Sequence, residues 1–186
     1  APDPPSTTLA RAGATLILNL SASDETVGKA GYRRQLVSGQ SGRLLCGYVY
    51  ADAGEGESTT DMVFAARNLI AENGALLAER RFEGGLTISE IDVDKLSFER
   101  CRNTTFTPAE EEVWRCSFDL ERTETVLTRP VGKNPFVPSD HGDREARCRE
   151  ILTIAALGLK KRLAHTQAKT AVVGLSGGLD STLALL

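Results

Sequence analysis

The 186-residue chain is 41% hydrophobic and 25% charged, the proportions of a soluble globular protein of one domain or two small ones. Twenty-two Lys and Arg against twenty-five Asp and Glu leave a net charge of -3, which excludes an electrostatic grip on a nucleic-acid backbone. The longest apolar runs, Thr15 to Leu20 and Ala171 to Leu175, fall far short of the roughly 20 residues of a membrane span. The opening Ala1-Pro-Asp-Pro-Pro5 lacks the basic cap and apolar core of a signal peptide, so a cytoplasmic protein is expected, with no membrane partner.

Along the chain, the apolar run from Ala12 to Leu20 ends in Ser21-Ala-Ser-Asp24. It predicts a strand buried on both faces that delivers polar residues at its C-terminal end, where open α/β sheets place their sites. From Lys29 to Leu45 the spacing of Tyr32, Leu36, Val37, Leu44 and Leu45 predicts a helix, weakened by Gly39 and Gly42. Cys46 to Ala51 reads as a second buried strand, and the Gly-rich acidic stretch Asp52 to Asp61 as a loop. Three strand-like runs follow at Met62 to Ala66, Asn68 to Ala71 and Ala75 to Arg81, the last two joined by the turn dipeptide Asn73-Gly74. Leu86 to Val93 alternates imperfectly, and Val113 to Leu120 would set Trp114, Cys116, Phe118 and Leu120 on one strand face.

Between Glu121 and Asp143 the apolar pattern dissolves among Pro130, Pro135 and Pro138, predicting a linker. Ser139 or Asp140 can cap the next helix, where Ile151, Ala155 and Leu159 stack at four-residue spacing and Lys160, Lys161, Arg162 and His165 fill the last turn. Ala171 to Leu175 predicts a short buried strand, and Ser176-Gly-Gly-Leu-Asp-Ser181 turns it into another helix. That helical pattern stops after about two turns at Leu186, and no initiator Met opens the chain, so a segment of a longer protein is expected.

The strand, loop, helix passage carries the strongest chemical signal. Two adjacent glycines let backbone N-H groups turn inward beside a helix N-terminus, a concavity suited to phosphate. Ser176 and Ser181 add hydroxyl donors, while Asp180 would repel phosphate unless a magnesium ion lies between them. No Lys follows the glycines, so the loop is not the type that grips a γ-phosphate. It resembles instead the S-G-G-x-D-S loop of the ATP pyrophosphatase family, whose members cleave ATP between its α and β phosphates. By that resemblance Gly174, Leu175, Ser176, Gly177, Gly178, Leu179, Asp180 and Ser181 bind ATP, and Asp180 its metal.

The rest of the chain narrows the family. The segments Pro5-Ser-Thr-Thr, Ala12-Gly-Ala-Thr, Asn19-Leu-Ser21, Gly28-Lys29, Tyr32-Arg-Arg34, Tyr48-Val-Tyr50 and Gly54-Glu-Gly-Glu-Ser-Thr-Thr-Asp61 resemble the nitrilase-type glutaminase domain of bacterial glutamine-dependent NAD synthetases. Glu72-Asn-Gly74 and Pro135-Phe-Val-Pro138 extend the likeness to the phosphate loop. The resemblance implies a layered α/β fold: residues 1–120 as the back half of the glutaminase domain, a partial αββα nitrilase-like sandwich; 121–142 as linker; and 143–186 as the first β-loop-α of a Rossmann-like synthetase domain.

It also implies substrates and roles. Family members hydrolyse glutamine with a Cys nucleophile, a Glu base and a supporting Lys, then use ATP with Mg2+ and the freed ammonia to convert deamido-NAD to NAD. They assemble as homo-oligomers and carry no prosthetic group. The catalytic trio would precede Ala1, leaving a Ser and a basic residue that hold glutamine's amino-acid end, here Ser23 and Lys29. A helix cap for Ser23 and a solvated charge for Lys29 are the alternatives.

Other candidates read as structural. Cys46 and Cys116 are expected in the core, and Cys101 and Cys148, with arginine neighbours, on the surface. The loop of Asp52, Glu55, Glu57 and Asp61 lacks calcium-loop spacing, and His141 and His165 are expected at the surface. A GMP synthetase, which shares the phosphate loop, and a non-catalytic assembly segment are the rival readings.

Overall fold

The computed structural model describes residues 2–121, 123–134, 136–138 and 140–186. The chain divides into two compact units, Ala1–Pro130 and Val131–Leu186. It is a mixed α/β chain with one four-stranded sheet and five α-helices among the described residues. None of those helices is long and apolar enough to cross a membrane.

The first unit runs α1 (Pro5–Arg11), β1 (Leu16–Ser21), α2 (Lys29–Leu44), β2 (Gly47–Asp52), β3 (Asn68–Glu72), β4 (Ala75–Arg80) and α3 (Val93–Arg102), with a 3-10 turn at Glu55–Glu57. The sheet order is β1-β2-β3-β4. Helix α2 crosses over to bring β2 parallel to β1, so that Leu16 faces Gly47 and Ser21 faces Asp52. The remaining pairs are antiparallel. Between β3 and β4 the two-residue turn has Asn73 at φ 46° and Gly74 at φ 85°, the left-handed pair expected of an Asn-Gly hairpin.

The core lies between α2 and one face of the sheet, where Val37 and Leu44 meet Ile17, Cys46, Tyr48, Tyr50, Leu69 and Ala71, with Ala10 of α1 beside them. Arg100 of α3 closes one end of this layer. Its Nη2 donates to the carbonyls of Ala14 (2.7 Å) and Leu44 (3.0 Å) and its Nε to that of Leu45 (3.0 Å), capping the end of α2. The guanidinium lies over the Phe106 ring at 4.8 Å.

Several expectations are corrected. Strand β1 is covered on one face only: Ile17 is buried, while Leu18 and Leu20 on the other face are exposed. An apolar run records what both faces could bury, not what is packed on each. Met62 to Ala66 and Leu86 to Val93 form no strand, and Val93 instead opens α3 behind the Asp92 cap, whose side chain accepts the Lys95 N-H. Val113 to Leu120 is irregular, with Trp114, Phe118, Leu120 and Cys116 all exposed, so Cys116 is a surface thiol and not a core residue. Ala171 to Leu175 is exposed and forms no strand. Helices α1 and α3 are additions that the apolar pattern alone does not predict, each being short and carrying few apolar side chains.

The second unit consists of α4 (His141–Thr166) and α5 (Leu179–Leu185) with their connections. Asp140 caps α4, its carboxylate accepting the Asp143 N-H at 3.0 Å, whereas Ser139 and Pro135 lie outside the described residues. The residues stacked along α4, Ile151, Leu152, Ala155, Leu159 and Leu163, line a groove with Leu183, Leu185 and Leu186. His141 and His165 are exposed.

Candidate functional site

Parallel pairing brings the C-terminal ends of β1 and β2 side by side, and the chain leaving β1 passes over them before entering α2. The Ser23 N-H donates to Asp52 Oδ1 at 2.8 Å, anchoring that passage to the end of β2. Gly28, at φ 86°, then turns the chain so that Lys29 opens α2. Arg33 stands one turn further along, 4% exposed. Its Nη1 donates to Glu25 Oε2 at 2.8 Å, and its Nη2 faces the Ser23 carbonyl, the Ser23 hydroxyl and the Asp24 carbonyl, each at 3.1 Å.

Lys29 completes the arrangement from the other side. Its Nζ donates to the Asp24 carbonyl at 2.6 Å and to Asp24 Oδ1 at 2.9 Å. Two of the three ammonium donors are thus engaged, leaving one for a ligand. The bond and the charge of Lys29 hold the Asp24 carboxyl below its usual range. Burial pushes the Glu25 carboxyl up, but the bond and charge of Arg33, with the charges of Arg81 and Arg67, outweigh it and hold the group low. Arg33 feels burial in the opposite sense, and Glu25, Tyr50 and Asp52 more than offset it.

Ser23 and Lys29 border one cavity of about 330 Å³, together with Asn19, Tyr32, Tyr48 and Tyr50. That volume suits a small metabolite. The Asn19 amide donates to the Tyr48 hydroxyl at 3.1 Å, fixing two groups of its wall. Behind the cavity, Arg81 reaches Glu25 at 3.2 Å, and Glu79 pairs with both Arg34 (2.7 Å) and the buried Arg67.

Sequence reasoning missed Arg33, Glu25, Asp24 and Asp52 as members of this site. Arg33 enters it only as part of a family likeness, although its place four residues after Lys29 puts the two on one face of α2. Asp52, 29 residues from Ser23, is brought in by strand pairing alone.

In the second unit Gly177 adopts φ 84° and Gly178 caps α5. The Ser176 and Ser181 hydroxyls lie 3.2 Å apart, Ser176 Oγ accepts the Gly178 N-H at 3.4 Å, and Ser181 and Thr182 hydroxyls donate to the Gly178 carbonyl at 3.0 and 2.9 Å. Gly174 and Leu175 lead into this exposed turn, and Leu179 and Asp180 begin the helix. No group of three His, Cys, Asp or Glu able to hold a metal occurs among the described residues. Asp180 stands in the first turn of α5 as the acidic residue of this passage.

No family model matches the chain. Curated relatives do: the glutamine-dependent NAD(+) synthetase of Mycobacterium tuberculosis is 41% identical over 197 aligned positions that take in all of this chain and 29% of the relative. That of Mycobacterium leprae is 42% identical over the same shares. Among solved structures, a glutamine-dependent NAD(+) synthetase from Cytophaga hutchinsonii matches at 40% identity and a TM-score of 0.38, over 40% of this chain and 13% of that one. The chain spans 29% of the length of the curated relatives it matches, and over its whole length it is similar to a segment of glutamine-dependent NAD(+) synthetases.

Proposed function

We propose that this chain is a segment of a cytoplasmic glutamine-dependent NAD synthetase, in which residues 1–120 belong to a nitrilase-type glutaminase domain, 121–142 to a linker and 143–186 to the start of an ATP-using synthetase domain. The reading is carried by one observation: similarity at 41% identity extends over all of this chain, and so takes in both the Ser23 and Lys29 cavity and the Ser176 to Ser181 loop. A GMP synthetase is disfavoured because the relatives found are NAD synthetases.

In this reading the free N-H of Lys29 meets the α-carboxylate of glutamine, and the Ser23 hydroxyl, which accepts from Arg33, directs its own proton to the same end of the ligand. The ammonium has no fork and depends on Asp24 for its aim. The nucleophile, base and supporting Lys come from elsewhere in the parent, which assembles as a homo-oligomer. At the loop, the backbone between Gly174 and Ser181 and the two serine hydroxyls hold ATP phosphates, and Asp180 holds the magnesium ion that accompanies them. ATP activates the carboxylate of deamido-NAD for attack by ammonia.

The test uses the full reading frame that contains the chain, assayed for NAD formation from deamido-NAD and ATP with Mg2+. Synthesis with glutamine and with ammonium is expected, and no NAD from either nitrogen source would overturn the reading. The 186-residue chain alone should release no ammonia from glutamine.

A further inference from the structure

We propose that Arg33 is a positioning residue of the glutamine pocket, holding the 23–25 segment so that the Lys29 ammonium and the Ser23 hydroxyl converge on one ligand. The proposal rests on the pocket assignment above and adds to it a residue of the cavity wall whose guanidinium is engaged by Glu25, Ser23 and Asp24.

The Asp24 carbonyl joins the two cationic groups. It accepts from Arg33 Nη2 at 3.1 Å and from Lys29 Nζ at 2.6 Å, so one oxygen links the buried guanidinium to the ammonium at the cavity. The same Nη2 faces both the carbonyl and the hydroxyl of Ser23. Residues 22–26 belong to no helix or strand, so their backbone groups depend on such partners. Arg33 therefore supplies what secondary structure does not. Its charge answers Glu25 at 2.8 Å and Asp52 at 3.8 Å, whose side chains are 8% and 0% exposed, while Arg81 shares Glu25. A planar fork reaches all these oxygens at once, whereas a lysine ammonium would pair with Glu25 and let go of the two carbonyls.

Positioning and mere structural support differ in what they change. Loss of aim weakens glutamine capture and leaves the synthetase domain working, whereas loss of fold removes active enzyme without altering the KM of what remains. In the full-length enzyme, Arg33→Lys should raise the KM for glutamine at least tenfold while ammonia-driven NAD synthesis stays within twofold of the parent. An unchanged KM, with or without a fall in both activities, overturns the proposal.

Lys29→Ala, measured beside it, separates this inference from the assignment beneath it. A raised KM in Lys29→Ala with an unchanged KM in Arg33→Lys sinks the Arg33 role alone. An unchanged KM in Lys29→Ala sinks the pocket assignment and the Arg33 role with it. Should Arg33→Lys fail to fold, Glu25→Gln, which keeps the shape of the partner and removes its charge, decides the matter. A severalfold rise in KM for glutamine is expected there, and no rise overturns the role of Arg33.

Discussion

Gly42 of α2 lies against Gly74 of the β3–β4 turn so closely that a Cβ at position 42 would stand 3.2 Å from the Gly74 Cα. The turn is tied down there, because the Gly74 N-H donates to Ser41 Oγ and the Asn73 N-H to the Cys46 carbonyl. A glycine that costs helix propensity thus allows helix and hairpin to meet.

Gly39, one turn earlier on α2, has nothing within 4 Å of its would-be Cβ. Gly39→Ala should therefore stabilise the unit by up to about 1 kcal/mol, the ordinary difference between the two residues in a helix. Gly42→Ala should forfeit that gain, and Gly42→Val should destabilise by about 1 to 3 kcal/mol as the larger group forces the backbones apart. Urea unfolding of the three variants checks the order, and equal stabilisation by both alanines would show that the hairpin yields freely.

How much of this was legible in the sequence depends on whether a residue's partner was local. Helix α2, strands β2 to β4 and the Asn73-Gly74 turn follow from periodicity and turn chemistry, which are properties of a few consecutive residues. The alternation of Trp114, Cys116, Phe118 and Leu120 is as regular, yet those side chains are exposed, because alternation needs an opposing layer before it becomes a buried strand. Ser23 and Lys29 were reached through family likeness, and the structure places them on one cavity. The bonds that order them, from Asp52 and Arg33, arise from a parallel crossover and a buried ion pair, and neither leaves a periodic trace.

Glu25 makes that ion pair sensitive to acid. Its carboxyl is held low in the folded chain by Arg33, Arg81 and Arg67 against the opposing effect of burial. A depressed folded value means that the stabilisation is complete above the unfolded value, near pH 4 to 5, and is lost as pH falls through the folded one. Glu25→Gln should accordingly be less stable than the parent at pH 7 and lose less stability on acidification below about pH 4. Chemical unfolding at several pH values reads the two slopes, and parallel slopes would mean that Glu25 is not ion-paired.

Thiol chemistry reports on the core. Burial pushes the Cys46 thiol up to about 11, with Arg100 opposing weakly, while Cys101, Cys116 and Cys148 are exposed. At pH 8 a thiol reagent should label the three exposed cysteines of the native chain quickly, and Cys46 only on unfolding. Mass mapping of the labelled peptides distinguishes them, and rapid native labelling at Cys46 would contradict its place under α2.

The last prediction sets the two candidate half-sites against each other in the full-length enzyme. Lys29→Ala removes the charge expected to meet the glutamine carboxylate, a charge-assisted contact worth roughly 1.5 to 3 kcal/mol, or about 10- to 150-fold in glutamine-driven synthesis. Synthesis from added ammonium bypasses that cavity and should continue. Asp180 lies instead in the first turn of α5, within the turn whose Ser176 and Ser181 hydroxyls lie 3.2 Å apart, and no group of three metal-ligating side chains occurs among the described residues. Asp180→Asn keeps the size of the side chain and removes its charge, so the grip on the metal of the ATP phosphates weakens and NAD synthesis falls with either nitrogen source. Raising the Mg2+ concentration should recover part of that loss, which a folding defect would not allow. One assay of NAD formation, run with glutamine, with ammonium and across a magnesium series, holds all the readouts. Equal loss of both activities in Lys29→Ala would remove Lys29 from the glutamine pocket, and full ammonium-driven synthesis in Asp180→Asn would remove Asp180 from the phosphate site.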